Sequence, residues 1–459
     1  MPGRGDTPRA VALAASLLAA LERLVPGRSS TRPADLDAAA RDASSLEPAR
    51  PDAVAWPLAT EEVAAIVRLA AAHGVPLTAR GAGSSLEGNP IPVAGGIVLD
   101  LTRMAEIVAI RPADLQVDVQ PGVVYAQLNR ALRPHGLFFP PSPGGSADVA
   151  TVGGMVANNA SGLYSVKYGG TRDHVRTATV VTGMGRVLRL GNRCRKSASG
   201  YHLLGLLVGS EGTLAIATEL TLALAGVPAA RRQGGFRFRD ATAAATATAE
   251  LIRFGIDVAA VEFLDARTIA ALNRFGAFGL VEAPTLLVEV HGSDGGVAEA
   301  WQASADVMRG AGGEEVRLPD GRDAWSIREH ATRAIAALRP DAATVRVDVA
   351  VPIGALPALV ARTTELAERV PVHLFGHAGI GILHALVLAD DAERPAAGAV
   401  REALIESALA LGGACSGEHG MGLGNRRWAA REHGDALELM RGVKALFDPA
   451  GILNPGKIW

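Results

Sequence analysis

The sequence predicts an α+β protein built from two unlike parts. Three observations carry this. In the first half, short apolar runs of strand character alternate with loops dense in Gly and Ser. After about Pro228 the texture changes to strand, helix, strand, with the same order repeated. With 459 residues, 49% hydrophobic and 20% charged, the chain has ample material for a core and for two to four domains. The expected divisions are a helical segment at 1–48, a Gly/Ser-loop unit at 49–226, a second α+β unit at 227–410 and a closing segment at 411–459.

The elements follow in order. Residues 1–50 are Ala-rich and helical in pattern, broken by Pro33, Pro48 and Pro51. The run Val11–Leu21 behind Arg4 and Arg9 imitates a signal peptide. It passes straight into Glu22 and Arg23 without a clear cleavage site and reads as a surface helix. Glu61–His73 has helical periodicity, with Thr60 as N-cap and Gly74 as the stop. Val75–Ala79, Ile97–Leu101 and Leu115–Gln120 read as strands. Ala178–Thr182 and Val187–Leu190 form a hairpin around Gly183-Met184-Gly185. In the second half, Phe236–Arg239, Val258–Phe263 and Leu286–His291 are strands, while Ala241–Phe254 and Val297–Gly310 are helices. A helix over about 426–446 precedes the Pro/Gly-rich end.

Composition excludes several classes. A net charge of −2 gives no electrostatic case for nucleic-acid binding. Two cysteines, Cys194 and Cys415, rule out a disulfide framework, a Cys₄ zinc site and a four-cysteine iron–sulfur cluster within the chain. This usage fits a reducing, cytoplasmic setting. No apolar run reaches the roughly 18–20 residues of a membrane span, which leaves peripheral attachment open. Only four of the 45 basic residues are lysines; that preference for Arg looks like a coding bias.

Three loops stand out: Arg80–Gly88, Ser142–Gly162 and Gly209–Thr213. Glycine lets the main chain approach a ligand and turn its N–H groups toward phosphate oxygens. Ser84, Ser85, Ser142, Ser146 and Ser210 add hydroxyls. One such loop is usually a tight turn; three in one unit point to a large anionic ligand with a pyrophosphate. The Rossmann fingerprint fails, because after Gly81 and Gly83 the third glycine position is Leu86 and no clean helix follows.

RGAGSSLEG, PSPGGSADVATVGGMVANNASG, KYGGTRDHV and VGSEGTLAIATELTL resemble the FAD domain of the vanillyl-alcohol-oxidase type of flavoproteins. Within it they most resemble the branch of D-lactate dehydrogenase, the glycolate oxidase subunit and D-2-hydroxyglutarate dehydrogenase. The resemblance runs from about residue 50 to 459. It implies a two-part FAD-binding domain, a ferredoxin-like substrate cap and a C-terminal segment returning to the flavin. It implies that Arg80, Gly81, Ala82, Gly83, Ser84 and Ser85 wrap the FAD pyrophosphate. Pro141, Ser142, Gly144, Gly145, Ser146, Thr151, Gly154 and Ser161 would continue the cradle. Glu211, Gly212, Thr213 and Ile216 would sit by the adenine–ribose or flavin side, and Asn454 in the NPGK ending would return to the flavin. Covalent attachment in this superfamily uses His, Tyr or Cys. None lies between Val75 and Pro90, so non-covalent FAD is expected.

Four of the 11 histidines fall in 373–419. His377 and His384 flank a Gly-rich turn between two strand-like runs, so they can share a metal. Glu418 and His419 are adjacent, so one can face a metal and the other a substrate. The resemblance implies that His377, His384 and Glu418 bind a divalent metal such as Zn, Mn or Fe, and that His419 is the catalytic base. It also places Arg328 and Thr332 on the substrate carboxylate, and Arg346 where the family usually has lysine. The spacing of Arg328 and Thr332 puts them on one helix face, and Arg346 and Asp348 on one strand face. Ile380, Ile382 and Leu386 stand where the family carries Asp, Asn and Asn. The first two remove polar turn groups that could orient the ligands, and together they point to a more apolar substrate. Cys415 reads as small packing.

The function this implies is FAD-dependent oxidation of a 2-hydroxy acid to a 2-oxo acid. Hydride would pass to flavin N5, and a separate acceptor (quinone, cytochrome, electron-transfer flavoprotein or iron–sulfur subunit) would take the electrons. The alternatives are a metal-free flavoprotein acting on another alcohol and an accessory flavin-binding subunit.

Overall fold

A computed structural model describes residues 13–276, 278–318 and 323–459. Val11 and Ala12 of the N-terminal apolar run lie outside them. Ala15–Leu21 of that run belong to the helix Ala15–Leu24. It is not a bare surface helix: Leu17 and Leu21 are buried in a core shared with the helix Thr60–His73.

The first half holds two sheets. In the four-stranded one, Ile97–Asp100 lies between Ala53–Ala55 and Leu77–Arg80, parallel to both, and Ser29–Ser30 pairs antiparallel at the edge. Thr60–His73 crosses between the outer parallel strands and buries Val63, Ile66, Val67 and Ala70. Thr60 does not cap this helix. Ala59 occupies that position, and the Thr60 hydroxyl bonds Thr218 at 2.9 Å instead. The second sheet is antiparallel, in the order Ile107–Arg111, Gln116–Val119, Ala215–Ala223, Val175–Thr182, Val187–Gly191. The expected hairpin is present, with Gly185 at φ 69° in its turn.

The second half is one seven-stranded antiparallel sheet. Its order is Glu314–Val316, Ala230–Arg237, Thr285–Gly292, Val258–Leu264, His373–Gly376, Ile382–Ala389, Ala343–Ala350. The first four strands, with helices Ala241–Arg253 and Asp294–Gly310, make a βαββαβ unit of ferredoxin-like order. The last three, with Leu356–Ala367 and Arg394–Ala410, repeat it without a full fourth strand; a single bridge between Ala350 and Ala414 stands in its place. The strand expected at Phe236–Arg239 begins earlier, at Ala230, because its whole length pairs with Thr285–Gly292. The tail helix expected over 426–446 is in three pieces: a 3₁₀ turn Arg426–Trp428, then Ala429–His433, then Ala436–Phe447. Gly434, at φ 52°, breaks the last two apart.

Strand alternation decides which side chains serve the core and which the site. Val261, Phe263, Val288, Val290, Leu374, Leu383, Ala385 and Val347 face the four long helices. The opposite face, read through the register, carries Glu289, Glu262, His377, His384 and Asp348 across neighbouring strands. Leu264, Leu287, Phe375 and Leu386 on that face pack under the helices Ala266–Gly276, Ala324–Arg328 and Ala331–Ala337. A polar stripe thus crosses the sheet where those short helices stop.

Candidate active site

Backbone loops from the first half line an open cleft with a cavity of about 200 Å³. Arg80, Gly81, Ala82, Gly83, Ser84 and Ser85 line it, continuing the strand Leu77–Arg80. So do Ser146, Thr151, Gly154, Ser161, Glu211, Gly212 and Ile216. Thr151 caps the helix Val152–Asn158, its Oγ1 accepting the Gly154 N–H at 3.3 Å. A Cβ on Gly81 would stand 2.2 Å from that same Oγ1, so the loop can touch the helix start only as glycine.

Pro141, Ser142, Gly144, Gly145, Thr213 and Asn454 are not among the lining residues. Gly144 and Gly145 are exposed, while Thr213 and Asn454 act behind the wall. The Thr213 hydroxyl donates to Ser210 O at 2.7 Å. Asn454 Nδ2 donates to Asn89 O at 3.0 Å and Glu211 O at 2.7 Å, tying two of the loops together. Glu211 also has a role the sequence did not single out. Its carboxylate accepts the Met421 and Gly422 N–H groups at 2.7 and 2.9 Å, clamping the C-terminal loop to the cleft. The N-terminal segment straps the Arg80 loop: Arg80 Nη1 donates to Arg41 O at 2.7 Å and Gly88 N to Asp42 Oδ2 at 2.8 Å.

Glu418 and His419 reach the cleft from the other side. Behind them the strand register brings the two histidines to Glu418. His377 Nε2 lies 3.3 Å and His384 Nε2 3.5 Å from Glu418 Oε1. Glu418 Oε2 accepts from Ser161 Oγ at 2.9 Å, which joins this centre to the cleft wall. His419 stacks on His384, with ring centroids 5.5 Å apart and planes 10° from parallel. His373, the fourth histidine of the group, is not part of the centre; it sits beside Arg267.

Two buried carboxylates organise this centre: Glu262, which sequence reasoning missed, and Asp348, which it placed only on the strand face of Arg346. Glu262 Oε1 holds His377 Nδ1 at 2.6 Å, and its Oε2 accepts Arg328 Nε at 2.7 Å. Asp348 Oδ1 faces His384 Nδ1 at 3.2 Å. Its Oδ2 accepts the Glu418 and His419 N–H groups at 2.8 and 2.9 Å. The Glu262 carboxylate fixes the His377 ring through Nδ1 and points Nε2 at Glu418, the usual outer arrangement of a metal-binding histidine, while Asp348 Oδ1 faces His384 Nδ1 out of hydrogen-bonding alignment. The donor set fits a divalent cation: His377, His384 and Glu418 each offer one ligand atom, all within 4.8 Å of one another.

Electrostatics agree with this crowding. Burial alone would lower His377, but Glu262 and Glu418 outweigh it and hold the ring up at about 10. Burial pushes His384 down, against Asp348 and Glu418. Glu418 is held low despite burial, chiefly by His377.

Arg328 and Thr332 do not share a helix face. Arg328 ends the helix Ala324–Arg328, and Thr332 belongs to the next one, Ala331–Ala337. The chain turns at Glu329–His330, where His330 Nδ1 binds Ser326 O at 2.7 Å in place of a continued helix. Arg328 lies over the Phe375 ring, 4.5 Å from its centroid. Arg346 stands on the same strand as Asp348, and burial pushes its guanidinium pKa down. Cys415 is buried in the cap core, as expected, with Sγ 3.4 Å from Met421 Sδ.

His373 provides a pH test of the cap. Burial and nearby Arg267 lower its pKa to about 4. A depressed histidine contributes stability that is complete above its unfolded value of about 6.5 and is lost as pH falls toward 4. The chain is expected to lose about 2 kcal/mol more than His373→Leu between pH 7 and pH 5. Denaturant unfolding at both pH values measures this; equal losses in the two proteins would contradict it.

Comparison with known proteins agrees with this geometry. The family described as "FAD linked oxidases, C-terminal domain" matches residues 227–458, and "FAD binding domain" matches residues 51–191. A relative from Danio rerio named "Probable D-lactate dehydrogenase, mitochondrial" is 36% identical over 431 residues, covering 91% of this chain and 86% of the relative. The Bacillus subtilis glycolate oxidase subunit is 33% identical over 430 residues, covering 91% of each. Among solved structures, p-cresol methylhydroxylase with substrate bound superposes with a TM-score of 0.80 at 16% identity, covering 96% of both chains. An alkyldihydroxyacetonephosphate synthase does so with a TM-score of 0.77 at 18% identity, covering 97% of this chain and 85% of that one. These structural likenesses establish the fold, that of the vanillyl-alcohol-oxidase flavoenzymes. Among the described residues no helix is long and apolar enough to cross a membrane. With cleft, loops and both family matches in agreement, the chain belongs to the FAD-linked oxidases and is an FAD-binding enzyme.

Proposed function

We propose that the enzyme oxidises a small 2-hydroxy acid to the corresponding 2-oxo acid and passes the electrons to a separate acceptor. The observation that carries this is the convergence of His377, His384 and Glu418 within 4.8 Å of one another beside His419, at the wall of the FAD cleft. Two relatives named for D-lactate and glycolate, both 2-hydroxy acids, support it. On this reading residues 49–226 form the FAD unit and 227–410 the substrate cap. Residues 411–459 close the site, and Arg41 and Asp42 of the 1–48 segment brace the Arg80 loop.

Non-covalent FAD supplies the acceptor for the substrate Cα hydride, and a divalent metal held by His377, His384 and Glu418 supplies a Lewis acid at the substrate oxygens. The chain's own residues do the rest. Arg328 grips the substrate carboxylate with the part of its fork that Glu262 leaves free. Thr332 and Arg346 complete the pocket. His419 takes the hydroxyl proton on Nε2, because Asp348 lies behind its Nδ1 at 3.6 Å. The peptide of His419 is held at both ends, N–H by Asp348 and C=O by Asn158 Nδ2 at 3.2 Å, so the ring is presented without a search for position.

Anaerobic titration of the FAD-loaded, metal-supplemented protein with D- and L-2-hydroxy acids tests the proposal. At least one acid is expected to bleach the visible flavin band and appear as its 2-oxo acid. Bleaching by none, in a protein that dithionite reduces normally, would overturn the proposal.

A further inference from the structure

Glu262 serves two handles with one carboxylate. It lies fully buried in the strand Val258–Leu264. One oxygen takes His377 Nδ1 at 2.6 Å and the other takes Arg328 Nε at 2.7 Å. These partners come from distant segments: His377 follows the strand His373–Gly376, and Arg328 ends a five-residue helix. Apart from packing of Ala324 and Ile327, that helix is held to the sheet by three polar contacts, one of them the Ala324 N–H donating to Gln233 Oε1 at 2.9 Å. Arg328 reaches Glu262, and Trp325 Nε1 reaches Glu289, another fully buried carboxylate two residues along the same face of the neighbouring strand.

We infer that Glu262 is a positioning residue that couples the metal-binding imidazole to the substrate-binding guanidinium, and so sets the distance between the two ends of the substrate. This rests on the 2-hydroxy-acid reading above, for which one oxygen pair meets His377, His384 and Glu418 while the carboxylate meets Arg328. The chemistry is specific. A carboxylate beside Nδ1 requires a proton there, which commits Nε2 to ligation. The same carboxylate holds Nε of Arg328, leaving Nη1 and Nη2 as the parallel pair that grips a carboxylate. The ring of Phe375 beneath the guanidinium removes its remaining freedom to tilt. An isosteric amide cannot do this. Glutamine accepts at one end only, and its NH₂ group opposes either the guanidinium or the Nδ1 proton.

Communication follows from the shared carboxylate. If Arg328 is removed, Glu262 is left with His377 as its one charged partner and is free to re-aim. Arg328 touches no metal ligand directly, yet its loss is felt at Nε2 of His377.

The test is Mn²⁺ binding to the FAD-loaded full chain, measured by the EPR signal of free Mn²⁺, for wild type, Glu262→Gln, Arg328→Met and the double variant. Glu262→Gln is expected to weaken Mn²⁺ binding by about 10–100-fold, and Arg328→Met by several-fold. The double variant is expected to match Glu262→Gln alone, because both losses pass through one group. Flavin absorbance per chain and the melting temperature report whether each variant is folded. Should Glu262→Gln fail to retain FAD, Arg328→Met and Glu262→Asp carry the comparison, with Glu262→Asp expected between wild type and Arg328→Met. Unchanged Mn²⁺ affinity in Arg328→Met, additive losses in the double variant, or a wild type that takes up no Mn²⁺ would each overturn the inference. These readouts need no substrate. A coupled Mn²⁺ site in a protein that no 2-hydroxy acid reduces would sink the proposed function and leave the coupling standing.

Discussion

Replacing His419 with alanine is expected to leave the protein yellow and to slow reduction of its flavin by substrate by about 10²–10⁴-fold, the usual contribution of a positioned general base. The substitution is clean because of how the residue is held. Its N–H and C=O are bonded through the main chain to Asp348 and Asn158, and neither bond needs the imidazole. Glu418 beside it keeps its own N–H on Asp348 and its carboxylate on Ser161. Only the ring, stacked on His384, is lost, and with it the acceptor for the substrate's hydroxyl proton. Stopped-flow reduction under anaerobic conditions measures the effect. Rates within a few-fold of wild type would remove His419 from the role of base.

Asp348→Ala is expected to cost more in stability than any other single change at the site, about 3–5 kcal/mol, the usual penalty for breaking a buried charged network from one side. Three donors lose their acceptor together, the N–H groups of Glu418 and His419 and Ser416 Oγ at 3.3 Å, and His384 Nδ1 loses the carboxylate that faces it at 3.2 Å. Burial opposes ionisation of Asp348, but His419, His384 and the Glu418 N–H together hold its carboxyl far below the ordinary carboxylate range. The sign follows from linkage. A depressed carboxyl contributes stability that is complete above its unfolded value of about 4 and is lost as pH falls below it, since the unfolded chain takes up the proton first. Asp348→Asn keeps an oxygen for the two N–H groups and should lose less, while flattening the acid limb of the stability profile. Denaturant unfolding of the three proteins at pH 7 and across the acid range checks both statements. A loss below about 1 kcal/mol in Asp348→Ala at pH 7 would contradict the first.

What the sequence disclosed follows from how locally each feature is encoded. The Arg80–Ser85 and Gly209–Thr213 loops are read from composition because backbone approach to a ligand demands glycine in a short window. The repeated strand–helix–strand order of the second half was visible from period alone, and it folds as two ferredoxin-like units in one sheet. Glu262, Glu289 and Asp348 passed unnoticed as a set, although each left a mark: a lone carboxylate inside an apolar strand (VAAVEFL, TLLVEVHG, TVRVDVA). Such a residue is costly unless something distant satisfies it. The partner lies on another segment, 115 residues away for Glu262 and His377, so only strand register reveals it. The shared helix face of Arg328 and Thr332 failed for the opposite reason. Spacing assumes an unbroken helix, and a side-chain bond from His330 to Ser326 O ends it. Ile380 and Ile382 read as lost orienting groups because the resembled family carries Asp and Asn there, whereas the carboxylates that face His377 and His384 stand on other strands of the sheet.

The most direct measurement is a diffraction structure of the FAD-loaded chain with Mn²⁺, the metal located by its anomalous signal. The expected result is an isoalloxazine ring in the cleft beside Ser161 and His419, with one manganese on His377 Nε2, His384 Nε2 and Glu418. A flavin ring bound away from His419, or manganese on other residues, would contradict it.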